Sequence, residues 1–316
     1  MYRYVARRIA YAVVVVWAAF TISFALLYAL PSDPVSLMLL GPASGDAASA
    51  ADSEQRAALE ARYGLDQPVL VQYGQLLLNA LRGDLGVSVQ ADRPVADLIA
   101  EALPETLKIS ALALVLAIVT GLLVAVVANL AQARWLRNVL FALPPLGSAF
   151  PTFWIGLMLL QVLSFRLGLF PAIGNEGPQS VVLPAITLAV PASATFAQVL
   201  ARGLERTLRE PFVDVVVVKG ASRSRVHLGH GLRNAVVPAL TLVGLSVGGL
   251  LAGSVVTETV FSRNGIGRLL QTAVNTQDIP VVQALVLVSA VVFALVNLAV
   301  DLITPVVDPR VRRAHA

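Results

Sequence analysis

Residues 202–238 read RGLERTLREPFVDVVVVKGASRSRVHLGHGLRNAVVP and hold seven of the chain's 23 basic residues: Arg202, Arg206, Arg209, Lys219, Arg223, Arg225 and Arg233. On either side the sequence turns strongly apolar. A basic loop clamped between two apolar runs belongs at a membrane surface rather than in a soluble core. Inside it, Pro211 interrupts the helix continuing from the preceding run and starts a new one over residues 212–219, about two turns long, which Gly220 stops. Ser222 is placed to cap a further segment through His230, and Asn234 with Pro238 marks the start of the next span. The spacing predicts a short helix held crosswise at the membrane surface. Contact with anionic headgroups accounts for the charge. It does not account for the Pro–helix–Gly–helix layout or for the valine run 215–218, which suits a helix that buries itself in a groove on a partner.

The composition agrees with a membrane setting. Of 316 residues 57% are hydrophobic and 13% charged, with a mean hydropathy of +0.78, whereas soluble domains carry about 25% charged residues. The net charge of +4 and a pI near 9.8 reflect basic loops, not nucleic-acid binding. With no cysteine, disulfide frameworks and thiolate metal sites are excluded. The two lysines, Lys108 and Lys219, do not follow a glycine, so no G-x-x-x-x-G-K-[ST] phosphate loop exists and the chain is not an ATPase by that route. His227 and His230 stand three apart, but no third ligand completes a metal set. No histidine falls in an apolar run and no G-x-S-x-G occurs, so a serine–histidine hydrolase lacks its base.

Six apolar runs near the ~20 residues of a spanning helix lie at 9–30, 107–130, 139–163, 183–201, 236–260 and 281–303. The first is too long for a signal-peptide core and reads as an uncleaved helix. The fold expected is an all-α membrane protein divided into a first helix (1–30), an extracytoplasmic segment (31–106), a five-helix core (107–304) containing the loop 202–235, and a tail (305–316). With the N-terminus inside, the inner segments hold 15 basic residues and the outer ones 7, which places both termini and the long loop in the cytoplasm.

The outer segment 31–106 predicts helices over 53–63 and 68–82, closed by Gly64 and Gly83, then a short strand at 86–90 and a further helix from Pro94 to near Pro104. It either shields helix ends or docks an external partner. In the fifth run Gly244, Gly248, Gly249 and Gly253 either let helices approach closely or line a conduit. Charges at membrane depth need a reason. Glu258 falls at the outer end of the fifth run as a candidate for the outer mouth of a path, with Gly265 and Gly267 just beyond. Asp301 falls at the inner end of the sixth, within reach of an arginine of the tail.

The run KGASRSRVHLGHGLRNAVVP (219–238) resembles the cytoplasmic signature loop of membrane subunits of ABC importers, in the form found in B-type dipeptide and oligopeptide permeases. The resemblance covers nearly the whole chain, through YVARRI, LPSDPV, YGLDQPVLVQY, RGDLGVSV, PTFWIGLMLL, LGLFPAIG, ETVFSRNGIGRLL, DIPVVQ, NLAVDL and DPRVRR. It implies a six-span, non-enzymatic permease in the cytoplasmic membrane of a bacterium. Its expected partners are a homologous second permease, two cytoplasmic ATP-binding subunits that use ATP and Mg, and an extracytoplasmic binding protein delivering peptide; the permease itself needs no cofactor. Carried onto this sequence, the ATPase-coupling loop comprises Phe212, Val213, Asp214, Lys219, Gly220, Ala221, Arg225, His230, Arg233 and Asn234, with Gly220 the signature glycine. The chain departs from its relatives at Val216, Val217 and Val218, where small or charged residues are usual, and at Asn264, where a proline is common. An ion-gradient-driven secondary transporter is the alternative, but internal repeats and midplane ionisable residues, which would mark one, are not evident. The cargo is not legible.

Overall fold

A computed structural model of the chain describes residues 2–29 and 67–307. Most of the described residues are helical, and the only pairing of the sheet type among them is an isolated antiparallel bridge between Val87 and Pro94, so the strand expected at 86–90 reduces to one bridge. The helix expected at 53–63 lies outside the described residues. We number the helices α1 (Tyr2–Ala29), α2 (Val69–Leu81), α3 (Val95–Leu130), α4 (Arg134–Ala149), α5 (Thr152–Leu159), α6 (Val182–Leu208), α7 (Pro211–Val218), α8 (Leu232–Val260), α9 (Ile266–Asn275) and α10 (Ile279–Val307).

Five stretches are long and apolar enough to cross a membrane: Tyr4–Leu27, Val95–Leu130, Pro178–Leu208, Pro238–Val260 and Ile279–Thr304. The sixth is broken. Between Arg134–Ala149 and Thr152–Arg166 the axis turns by 101°, where the sequence reads as one run at 139–163. Phe150 and Pro151 both take extended backbone angles (ψ 133° and 138°), because a proline ring drives the residue before it out of the helical region. Hydropathy alone does not register such a break.

Other prolines fail to stop helices. The helix that starts after Pro94 does not end near Pro104 but continues as the 36-residue α3, about 54 Å at 1.5 Å per residue, so the outer helix and the second span are one rod. Likewise Pro238 sits inside α8. A lost backbone bond inside a helix packed on its neighbours is tolerated in membrane proteins.

The central core is α3 against α6. Ile109, Ala113, Ala117 and Ala125 are fully buried along one stripe of α3 and meet Leu188, Phe196 and Leu200 of α6; small residues four apart bring the two backbones close. A second core, around Val95, Ile99, Ile266, Val281 and Leu285, joins the starts of α3 and α10 to α9 at the opposite end from the basic loop. We call these the cap end and the basic end. In α8 the glycines divide: a Cβ at Gly244 would strike Asn297, at Gly248 Phe293 (3.0 Å) and at Gly253 Leu188 (2.9 Å), whereas Gly249 has open space beside it. Three of the four serve close packing.

The first helix lies at the periphery against the last. Arg8 pairs with Asp301 (3.1 Å) and the Tyr4 hydroxyl donates to the Asp301 carbonyl (3.0 Å). Among the described residues the partner of Asp301 is thus an arginine of the first helix; the tail arginine that the sequence suggests lies outside the described residues.

Candidate functional site

At the basic end α6 stops at Leu208, and Glu210 is extended before Pro211 opens α7. Proline fits the first helical position, where its missing N–H would have no partner in any case. Asp214 falls in the first turn, where a carboxylate favours the helix dipole. The helix closes with a six-to-one, five-to-two pair of bonds, Ala221 N–H to the Val216 carbonyl (3.3 Å) and Gly220 N–H to that of Val217 (2.9 Å). Gly220 holds φ +84°, which a residue with a Cβ adopts only under strain. The expected Pro–helix–Gly unit is present at its expected place.

Beyond Gly220 the chain departs from expectation. Ser222 does cap: its Oγ accepts from the Arg225 N–H (3.4 Å). But the chain runs through Arg223–Arg225 and a π-helical turn, Val226–Gly231, straight into α8. No separate segment ends at His230, and Asn234, whose amide donates to the His230 carbonyl (3.1 Å), is already within the helix.

The short helix α7 has two faces. Val213 is buried and Phe212 half-buried, while Asp214, Val215, Val217, Val218, Lys219 and Gly220 are exposed; Arg225, His230, Arg233 and Asn234 are exposed just beyond. Beneath α7 opens a cleft of about 450 Å³ whose wall combines Val213, Val217 and Ala221 with Asn129, Glu205 and buried His227. Glu205 bridges Arg209 (2.7 Å) and Arg137 (3.3 Å) across it. Sequence reading misses Asn129, Arg137 and Glu205, which come from three other helix ends. No group of three metal-ligating side chains exists among the described residues.

At the cap end the geometry is closed. Glu258 and Arg263 are 0% and 1% exposed. The Glu258 carboxylate accepts from the Thr106 hydroxyl (2.5 Å) and from the Arg268 N–H (3.1 Å), and Thr106 Oγ1 in turn accepts from the Ile266 N–H (2.8 Å). These are first-turn donors of α9, which has no side-chain cap of its own. Glu258, reaching from α8, therefore supplies the N-terminal acceptor that a helix start requires. The two glycines make room. A Cβ at Gly265 would stand 2.5 Å from the Glu258 carboxylate, and one at Gly267 2.5 Å from the backbone of Val255.

Arg263 ties in a third strand of chain. Its guanidinium donates to the carbonyls of Gly174 and Ser180, to Ser180 Oγ (each 3.0 Å) and to Glu105 (2.7 Å). Burial pulls this guanidinium below its ordinary value against the opposing pull of Glu105 and Glu258, and it remains charged. Beside it, Asn175 and Asn264 exchange bonds: the Asn264 N–H donates to Asn175 Oδ1 (2.9 Å), and the Asn175 amide donates to the Asn264 carbonyl (3.3 Å). A proline at 264 has no N–H to give, so the departure noted in the sequence has a local use. Further out, Asp278 accepts from Ser88 Oγ (2.6 Å) and from the N–H groups of Val89 and Gln90. Thus RGDLGVSV and DIPVVQ, distant in sequence, lock together. Sequence alone does not single out Thr106, Glu105 or Asp278; the one available signal is a polar residue at the edge of an apolar run.

Known proteins share this architecture. Residues 117–313 match the family described as binding-protein-dependent transport system inner membrane component, and residues 1–110 match its N-terminal family. The chain is 35% identical over 312 residues to a glutathione transport system permease protein, GsiC, of Escherichia coli O6:H1, and 34% identical to that of Shigella dysenteriae serotype 1, in each case over 99% of both chains. Among solved structures, the MetNI methionine ABC transporter in inward-facing conformations matches with a TM-score of 0.52 at 17% identity, over 66% of this chain and 96% of the other. That likeness shows a shared fold.

Proposed function

The chain belongs to the inner membrane component family of binding-protein-dependent transport systems, and from that premise we propose that it is the membrane-spanning permease subunit of an ATP-driven importer for peptides or peptide-like solutes. The glutathione named for its relatives is a cargo of that class. A homologous second permease completes the path, two cytoplasmic ATPases supply ATP and Mg chemistry, and an extracytoplasmic binding protein delivers the solute. Both termini and the basic end face the cytoplasm, a placement that the distribution of arginines supports.

The observation that carries the reading is α7: a two-turn helix fixed at both ends, with Val215 and Val218 exposed and Val217 open at the mouth of the cleft beneath it. Such a face is suited to a groove on an ATPase. Because α7 joins the end of α6 to the start of α8, displacement of α7 acts on two spanning helices at once, and closure of the ATPases rocks the bundle as a rigid body. Glu258, Gly265 and Gly267 then act as the frame of the outer gate, holding α9 to α8 and α3 while the bundle moves. The loop at 86–90 and the rest of segment 31–106 receive the binding protein.

Purification of the tagged chain in mild detergent, with and without replacement of residues 212–230, tests the proposal. A P-loop ATPase and a second permease co-purify with the intact chain, and only the ATPase is lost on replacement. A chain that comes out alone overturns the reading in favour of a gradient-driven carrier.

A further inference from the structure

The helix α2 falls in the segment otherwise assigned to the extracytoplasmic cap, yet its surface is unlike that of a water-exposed cap. Its 13 residues, VLVQYGQLLLNAL, contain no charge. Leu70 is 85% and Leu81 77% exposed, with Val71 and Leu78 also open. At 100° per residue Leu70, Leu81, Leu78 and Val71 fill one arc of about 100°, Gln75, Asn79 and Gln72 fall in the arc next to it, and exposed Val69 and Leu76 lie beyond them. A helix without charge, with one apolar arc open beside a narrower polar one and followed at once by Arg82 and Asp84, has the make-up of a segment lying in a membrane interface.

Its depth is fixed by a contact with the first span. Tyr73 packs its ring against Phe20 (5.7 Å between centroids) and Phe24 (5.3 Å, edge-on), and its hydroxyl shares a 2.8 Å hydrogen bond with Thr21. The span of which these residues are part runs Tyr4–Leu27. Phe24 and Phe20 therefore lie three and seven residues short of its outer end, about 4.5 and 10.5 Å below it at 1.5 Å per residue. A 24-residue span is about 36 Å long against a hydrocarbon core of about 30 Å, so each end projects by only about 3 Å. Tyr73 thus holds α2 at or just inside the hydrocarbon boundary. At that depth Ile22 and Leu26 of α1, on the side away from Tyr73, are likewise exposed.

We infer that α2 is an in-plane membrane helix, seated in the outer leaflet beside the first span and bound there by lipid through Leu70, Leu78 and Leu81. It sets the height at which the cap begins. The inference rests on α1 spanning the bilayer and not on what the permease carries.

The absence of cysteine makes the test direct. Single variants Leu70→Cys, Leu78→Cys and Gln75→Cys, in the full-length chain with its co-purifying subunits, are spin-labelled and placed in nanodiscs of phosphatidylethanolamine and phosphatidylglycerol. Collision with oxygen, which concentrates in lipid, is compared with collision with a water-soluble nickel complex; Val14→Cys in mid-span is the lipid reference. Labels at 70 and 78 collide with oxygen in preference to nickel, as at 14, and the label at 75 shows the reverse bias. Nickel-dominated collision at 70 and 78 places the arc in water and overturns the inference. Shielding from both reagents places it under protein, either another part of the chain or a partner, and overturns it equally. Leu81→Cys, on the same arc, gives the same reading if either leucine variant fails to reconstitute.

Discussion

At the basic end Val218 is 87% exposed and a wide cleft opens under α7, while at the cap end Arg263 is 1% exposed and four acceptors surround its guanidinium. The first region is held by its backbone: a proline at the start, a glycine at the stop, and one buried valine. The second is held by side chains that converge from α3, α8, the 174–180 loop and the start of α9. A polar group buried without a partner costs far more than a satisfied one gains, so the cap end tolerates one arrangement only. The basic end leaves Val215 and Val218 of its apolar face uncovered.

Substitutions that attack one end and spare the other test this contrast. The largest effect belongs to Arg263→Met, which strands the carbonyls of Gly174 and Ser180 and leaves Glu105 with exposed Lys108 as its ion-pair partner; loss of one member of a buried ion pair costs about 3–5 kcal/mol. We expect most of the folded protein to be lost, measured by thermal melting and size-exclusion of the solubilised chain. A variant that melts like the parent would show that the cap end is not the rigid one. Next comes Gly267→Ala, whose Cβ meets the backbone of α8 rather than a movable side chain; about 1–3 kcal/mol of overpacking strain should appear as a lower melting point.

Asp278→Asn keeps the shape of the side chain but weakens its acceptance from Ser88 and the loop backbone, at about 1–2 kcal/mol. Its signature should be reduced stimulation of ATPase activity by the binding protein, read in proteoliposomes, with the transmembrane core unaltered. Gly220→Asp sharpens the contrast from the other side. Nothing lies within 4 Å of the added Cβ, so only the positive φ is penalised, by about 1 kcal/mol. Folded yield should stay near that of the parent while ATP hydrolysis no longer drives uptake; normal transport would remove Gly220 from the coupling site. The smallest effect is that of Arg137→Ala, which breaks a half-exposed pair with Glu205 worth under about 1 kcal/mol, and its melting point should not move measurably.

The same contrast explains what the sequence can reveal. The α7 unit is a local device, written in Pro211, Gly220 and the residues between, and so it is legible down to its turn. The spans are legible because apolar length is a property of a run. Glu258 is visible only as a charge in the wrong place. Its use depends on Thr106, 152 positions earlier, and on two glycines whose value is the space they leave, none of which a linear pattern encodes. Prolines mislead in both directions: Pro104 and Pro238 look like boundaries and are absorbed, while Pro151 looks absorbed and is a boundary. A ring bends a helix or is tolerated according to what packs around it, and that packing is tertiary.

The pairing of the first and last helices bears on how the protein is made. Tyr4 and Asp301, whose contact joins α1 to α10, are 297 positions apart. At roughly 5–20 residues per second of synthesis, α1 waits about 15–60 s in the bilayer before its partner leaves the ribosome. A helix that waits that long for its spanning partner has to be at home in lipid wherever α2 does not cover it. That is the surface α1 has, with Ile9, Val13, Val14, Trp17, Ile22 and Leu26 turned outward around its circumference. The last span then closes the bundle by capturing a helix that was inserted first and held until then by α2.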